Sequence, residues 1–145
     1  MDSHTYQVDL QWINDRIGEA SSPELIDTID IATPPQFPKG VEGVWSPEHF
    51  FTASVNGCYM TTFLAIAENS KLEFTSFHCT ADGILEKVDG KYLMTEIVLK
   101  PTLVIHNLKD LEKAERILQK SESACLISNS IKSKVTLITD IKVAE

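Results

Sequence analysis

The sequence has no block of five or more basic residues, and its thirteen Lys and Arg face twenty-one Asp and Glu, a net charge of −8. Phosphate binding relies on clustered cations, so this balance argues against nucleic acid or an anionic membrane as the main partner. Cysteine is sparse: three residues, Cys58, Cys79 and Cys125, an odd number without metal-like spacing. That count gives neither a disulfide framework nor a zinc site. The opening stretch, MDSHTYQVDLQW, lacks a charged-then-apolar signal layout and a small-residue cleavage site, so the expected compartment is the cytoplasm. The longest uncharged run, residues 50–67, is interrupted by Thr52, Ser54, Asn56, Thr61 and Thr62. A lipid-spanning helix needs about 20 predominantly apolar residues, so the expectation is a buried helix of a soluble protein. Internal repeats and low-complexity tracts are also missing.

What remains is a globular composition, 43% hydrophobic and 23% charged over 145 residues, which suggests a single domain spanning 1–145. A chain of about this length buries roughly two-thirds of its surface without staples.

Tyr6, Val8, Leu10 and Trp12 alternate with polar residues, predicting a half-buried strand. Asn14-Asp15 suggests a turn, RIGEAS a returning strand and ELIDTIDIA a third. Residues 32–46 carry three prolines and two glycines and read as a loop. A long helix follows, with Ser46 as N-cap, Pro47 at the first helical position and Glu48 in the first turn, running to about Asn69. Its apolar residues point all round, predicting burial on every side, either centrally or at a subunit contact.

Residues 72–106 read as strands, with the hairpin-forming Asp-Gly pair in KVDGKY. Pro101 is expected to confine its strand to an edge or a bulge. Leu108, Leu111, Ala114, Ile117 and Leu118 follow helical spacing. SACLISNSIKS reads as a second, shorter helix after a break, and residues 135–143 as a closing strand. The order of elements gives an α+β domain.

The long helix holds Cys58 in its middle. Taken alone, a free cysteine there is first a small packing residue. Sequence spacing offers it no base, since His49 lies nine positions away on the opposite helix face. Cys79 also reads as packing. Cys125 is expected at a helix N-terminus, where the dipole would lower its pKa, the alternative being a packing residue.

Together, the segment from Pro47 to Cys58 and the CLISNS segment resemble the OsmC/Ohr family of thiol-dependent peroxidases. In that family a Pro-Glu pair opens a long central helix, and the reactive cysteine lies eleven residues past the proline. Pro47, Glu48 and Cys58 fit. The second family cysteine usually stands in Cys-Pro-x-Ser-Asn; Cys125, Ser128 and Asn129 fit, while Leu126 replaces the proline. An Arg-x-Gly context in the N-terminal strand pair matches Arg16. The resemblance implies an OsmC-like α+β fold and an intertwined homodimer. It also implies reduction of organic hydroperoxides in oxidative stress defence, with no cofactor and a dithiol reductant such as one of lipoyl type.

In that reading Cys58 becomes a sulfenic acid and condenses with Cys125 to a disulfide. Arg16 would stabilise the thiolate, and Glu48 would orient the arginine. Glu48 and Cys58 are ten positions apart, about 15 Å along a helix. They cannot easily share one arginine within one helix, so Glu48, with or without Arg16, is expected from a second subunit. Phe37, Val44, Trp45, Phe50 and Phe51 are either walls of an apolar substrate pocket or ordinary core. The alternatives are a divergent OsmC-like redox sensor or small-molecule binder, and a non-enzymatic module whose buried helix merely contains a cysteine.

Overall fold

The structure is a computed structural model and describes residues 2–144. It contains two compact units, one up to Phe50 and one from Phe51 onward. The first is built on a three-stranded antiparallel sheet, β1 (Asp9–Asn14), β2 (Ile17–Ser21) and β3 (Ile29–Ala32), in that order. The predicted β1–β2 turn is present, with Asp15 in the left-handed region at φ 45° and its carbonyl accepting from Trp12 Nε1 at 3.1 Å. Two expectations change here. The third strand covers only the last part of ELIDTIDIA, and β1 is exposed along its whole length rather than half-buried. Leu10 and Trp12 are left largely exposed, 64% and 70%. The loop of residues 32–46 is held by hydrogen bonds from Val41 N to Thr33 O and from Ala32 N to Trp45 O.

Helix α1 (Pro47–Asn69) has the predicted bounds. Ser46 Oγ accepts from His49 N at 3.2 Å, the expected N-cap bond. His49 Nδ1 reaches back to the Ser46 amide at 3.3 Å, filling the role an acidic side chain plays in a capping box. By length and composition alone α1 could cross a membrane. Val55, Tyr59, Phe63 and Ala67 nevertheless form a buried stripe at helical spacing and pack on a sheet, as a core helix does. The remaining faces are open: Met60 and Leu64 are each 41% exposed. Burial on every side is therefore not achieved within one chain.

The second unit's sheet centres on β5 (Lys91–Ile105), antiparallel to β4 (Phe74–Val88) on one side. On the other side β5 runs parallel to β6 (Lys134–Leu137) and β7 (Asp140–Val143). The Asp89-Gly90 turn joins β4 and β5, both residues having positive φ as a two-residue hairpin of this kind requires. Ile97, Leu99, Leu103 and Ile105, at period two, place one face of β5 in the core against α1 and α2 (Leu111–Ala124). Phe77 stacks on Phe63 with ring centres 4.7 Å apart, and Tyr59 OH donates to Leu118 O at 3.0 Å.

Pro101 corrects the sequence expectation: it is buried in the central strand, not on an edge. β6 pairs with residues 96–99 of β5 and β7 with residues 102–105, so Pro101 sits at the seam between them, where no partner calls for its missing N–H. The same break divides the predicted closing strand in two. The predicted second short helix is absent too. Ser121–Ala124 complete α2, Cys125 caps its C-terminus, and only a single 3-10 turn, Ser128–Ser130, follows.

Candidate active site

Cys58 lies half-buried at the middle of α1, one residue from the core stripe. Four positions on, one helical turn away, Thr62 brings its hydroxyl to 3.9 Å from the sulfur. Cys125, fully buried, is brought to the same place by the end of α2. The chain turns sharply after it: Asn129 N donates to Cys125 O at 3.1 Å, Ser130 N to Ile127 O at 2.9 Å, and Ser130 Oγ to Leu126 O at 2.8 Å. Asn129 Nδ2 ties the turn to Ser123 O at 3.1 Å. The amides of Ile127 and Leu126 hydrogen-bond Cys58, and that of Ser128 hydrogen-bonds Cys125.

The two thiols are driven apart in acidity. Burial pushes Cys58 up, but the Ile127 amide, the Cys125 thiol, the Thr62 hydroxyl and the Leu126 amide together hold it below its ordinary value. Burial pushes Cys125 up, and its hydrogen bond to Cys58 and the charge there keep it protonated against the pull of Ser128. This reverses the expectation that Cys125 opens a helix and is acidified by the dipole. It stands at a helix C-terminus, the negative end, which favours the thiol. The pair thus combines a Cys58 thiol drawn toward ionisation with a Cys125 thiol held toward its neutral form.

Cys79, on β4, is raised by burial to about 11, with only the Lys100 main chain opposing. It belongs to the packing, as expected, and its carbonyl accepts from Asn56 Nδ2 at 3.0 Å.

The other sequence-predicted residues lie in the first unit. Arg16 is exposed in the β1–β2 turn and makes no ion pair among the described residues. Glu48 is half-buried in the first turn of α1. Of the candidate aromatic wall, Trp45 packs on Phe50 at 5.4 Å between ring centres. With Val44 it lines an open cleft of about 450 Å³ bounded by Thr28, Ile29, Asp30 and Gly43. Sequence reasoning missed Thr62 and the main-chain donors. Thr62 was findable from its spacing of four after Cys58; the amides carry no side-chain signal.

Comparison with known proteins follows the same lines. The family model described as OsmC-like protein matches residues 40–140. The peroxiredoxin OsmC of Escherichia coli is 28% identical over 97 residues, 67% of each chain. An OsmC-like protein of unknown function from Vibrio cholerae superposes with a TM-score of 0.85 at 24% identity, covering 94% of this chain and 99% of that one. An organic hydroperoxide resistance protein from Elizabethkingia anophelis gives a TM-score of 0.75 at 16% identity, with 99% and 100% covered. The two structures share the fold, and the family match spans well over half of the sequence: the chain belongs to the OsmC-like protein family.

Proposed function

We propose that the protein is a homodimeric thiol peroxidase that reduces organic hydroperoxides, with Cys58 as the attacking thiol and Cys125 as the resolving one. The observation that carries this reading is the pair itself: Cys58 and Cys125 meet across α1 and the end of α2, and their surroundings push the two thiols in opposite directions, Cys58 down and Cys125 up. The Cys58 thiolate attacks the outer peroxide oxygen; the O–O bond breaks, the alcohol leaves after taking a proton, and Cys58 becomes a sulfenic acid. The Cys125 sulfur then attacks the sulfenic sulfur, an S–S bond forms and water departs. A dithiol reductant of the small-molecule or lipoyl class reopens the bond by exchange and is itself oxidised to a disulfide. Membership of a family that includes a peroxiredoxin supports the peroxide, and the named activity of the Elizabethkingia protein supports the organic class.

Arg16 and Glu48 enter this proposal as the cation and its orienting carboxylate, supplied at least in part by a second copy of the chain. Support for that copy comes from apolar surface left uncovered: Leu10 and Trp12 on β1, and Met60 and Leu64 on α1. Gly57 adds an open spot on the same helix, with space for another backbone to approach. A monomer lays bare more of α1 than a stable core helix leaves exposed.

The test is a titration of the reduced protein with cumene hydroperoxide and with hydrogen peroxide, counting thiols by mass. The expected outcome is rapid loss of two thiols as a Cys58–Cys125 disulfide, abolished in Cys58→Ser and arrested at sulfenic acid in Cys125→Ser. Retention of both thiols under stoichiometric hydroperoxide points instead to a redox-silent OsmC-like binding protein.

A further inference from the structure

Helix α2 gathers cations along one side. Lys113, Arg116 and Lys120 are spaced three and four positions apart, so they form a single stripe about 10 Å long. They edge a hollow of about 540 Å³ whose apolar lining is Ile66 of α1 and Ile117 of α2. Among the described residues the hollow has one carboxylate, Glu115, and both of its oxygens are engaged. Oε2 accepts from Gln119 Nε2 at 3.0 Å and Oε1 from Thr139 Oγ1 at 2.6 Å. Glu112, one turn before Arg116, does not pair with it either: the ion pairs among the described residues are Lys100–Asp82 and Lys142–Asp140. Like charges at these spacings repel, and α2 has no cation in its last turn, so the stripe does not serve the helix dipole.

Two further observations define what fits there. The chain carries a net charge of −8, so an acidic partner is repelled by most of its surface and drawn to this stripe. The hollow also lies away from the apolar stripe assigned to a second copy of the chain. On α1, Ile66 stands about 60° to one side of the core residue Phe63, while Met60 and Leu64 stand about 60° and 100° to the other. Covering Met60 and Leu64 therefore leaves the hollow open.

We propose that this hollow is a docking site for an acidic peptide segment of a partner protein. Carboxylates of the segment pair with Lys113, Arg116 and Lys120, and an apolar side chain beside them rests on Ile66 and Ile117. A stripe of about 10 Å exceeds the reach of one carboxylate. In an extended chain, carboxylates two residues apart are separated by about 7 Å, so one segment engages the stripe at two points. The apolar contact supplies the affinity that exposed ion pairs lack, while the cations set orientation and encounter rate.

The probe is a fluorescein-labelled peptide, Glu-Asp-Leu-Glu-Asp-Leu-Glu, followed by anisotropy with the full chain at low ionic strength, beside its neutral counterpart Gln-Asn-Leu-Gln-Asn-Leu-Gln. The acidic peptide is expected to bind and the neutral one not, with affinity falling as salt rises to about 0.15 M. Arg116→Gln combined with Lys120→Gln should weaken binding roughly three- to tenfold. Lys87→Gln combined with Lys91→Gln, in the β4–β5 hairpin, changes the net charge equally and should leave binding as it was. Equal loss in the two double variants overturns the proposal, because the overall field and not the stripe then holds the peptide. Absence of binding at low salt overturns it as well. So does pyrophosphate binding as tight as the peptide's, which marks a small-anion site instead. Should the Arg116 and Lys120 replacements disturb the fold by circular dichroism, methyl resonances of the unaltered chain decide. Those of Ile66 and Ile117 should move on adding the acidic peptide, and methyls that stay in place overturn the proposal. None of these readouts involves a thiol, so the docking site and the proposed peroxidase stand or fall separately.

Discussion

Cys125 donates its thiol hydrogen to the sulfur of Cys58, and this one contact moves the two residues in opposite directions. The donor lowers Cys58 by stabilising its anion. The anion, in turn, raises Cys125 by repelling a second negative charge. An asymmetric pair of this kind offers a nucleophile and a proton-bearing partner without any other ionisable side chain.

The first expectation is a pH profile for the two thiols. Thiolate accumulates as pH rises, and Cys58 is depressed below the ordinary thiol value of 9.0 while Cys125 is elevated above it. Alkylation at neutral pH should label Cys58 well before Cys125. Replacing Cys58 by Ser removes the charge that raises its neighbour, so Cys125 should then alkylate at lower pH. Peptide mapping after timed iodoacetamide exposure reads both; simultaneous labelling of the two would contradict the asymmetry.

Cys79 gives a stability signature at high pH. Its folded pKa is raised from 9.0 to about 11, so the folded state keeps a proton that the unfolded state releases. The neutral thiol's contribution is intact below pH 9 and is lost as pH climbs from 9 to 11. Allowing for its partial contact with solvent, the loss is about 1–2 kcal/mol. Urea midpoints at pH 8 and pH 10.5 should fall less in Cys79→Ala than in the parent protein.

Gly83 lies where β4 and α1 come close together. A Cβ there would lie 2.1 Å from Thr52 Oγ1 and 2.9 Å from Met94 Cε. Gly83→Ala should destabilise the protein by about 1–3 kcal/mol, the usual cost of overpacking. Adding Thr52→Ala should recover much of that loss, a non-additivity measured by a double-mutant cycle in urea. Simple addition of the two penalties would mean that the helix moves rather than clashes.

The proposed dimer is open to a single charge. Leu64 is exposed on α1 in one chain, so Leu64→Glu should leave the far-ultraviolet spectrum intact. Light scattering should nevertheless report a shift from dimer to monomer, since a glutamate buried in an apolar contact is costly. A parent protein that is already monomeric in dilute solution sinks the dimer.

Much of this was written in the chain. The bounds of α1 were readable because Ser46-Pro47-Glu48 is a start signal and the uncharged run that follows is long. The Asp89-Gly90 hairpin was readable because Asp-Gly is one of the few pairs that accept the turn cheaply. Pro101 was not, since the rule against proline in central strands assumes continuous neighbours on both sides, and here one neighbour is divided into β6 and β7. Nor was the setting of Cys125: helical propensity continues through Ser121–Ala124, so local sequence could not tell the end of one helix from the start of another.

The sequence by itself determined the bounds of α1, the β4–β5 hairpin, the position of Cys58 within its helix and the resemblance that links it to Cys125, because those depend on local spacing. Tertiary structure decided which face of α1 is covered and which is left bare. It also decided that Cys125 sits at a helix C-terminus and that the amides of Leu126 and Ile127 converge on a sulfur more than sixty residues earlier in the chain. Backbone donors are the same in every residue except proline, so only the path of the chain can say where they point.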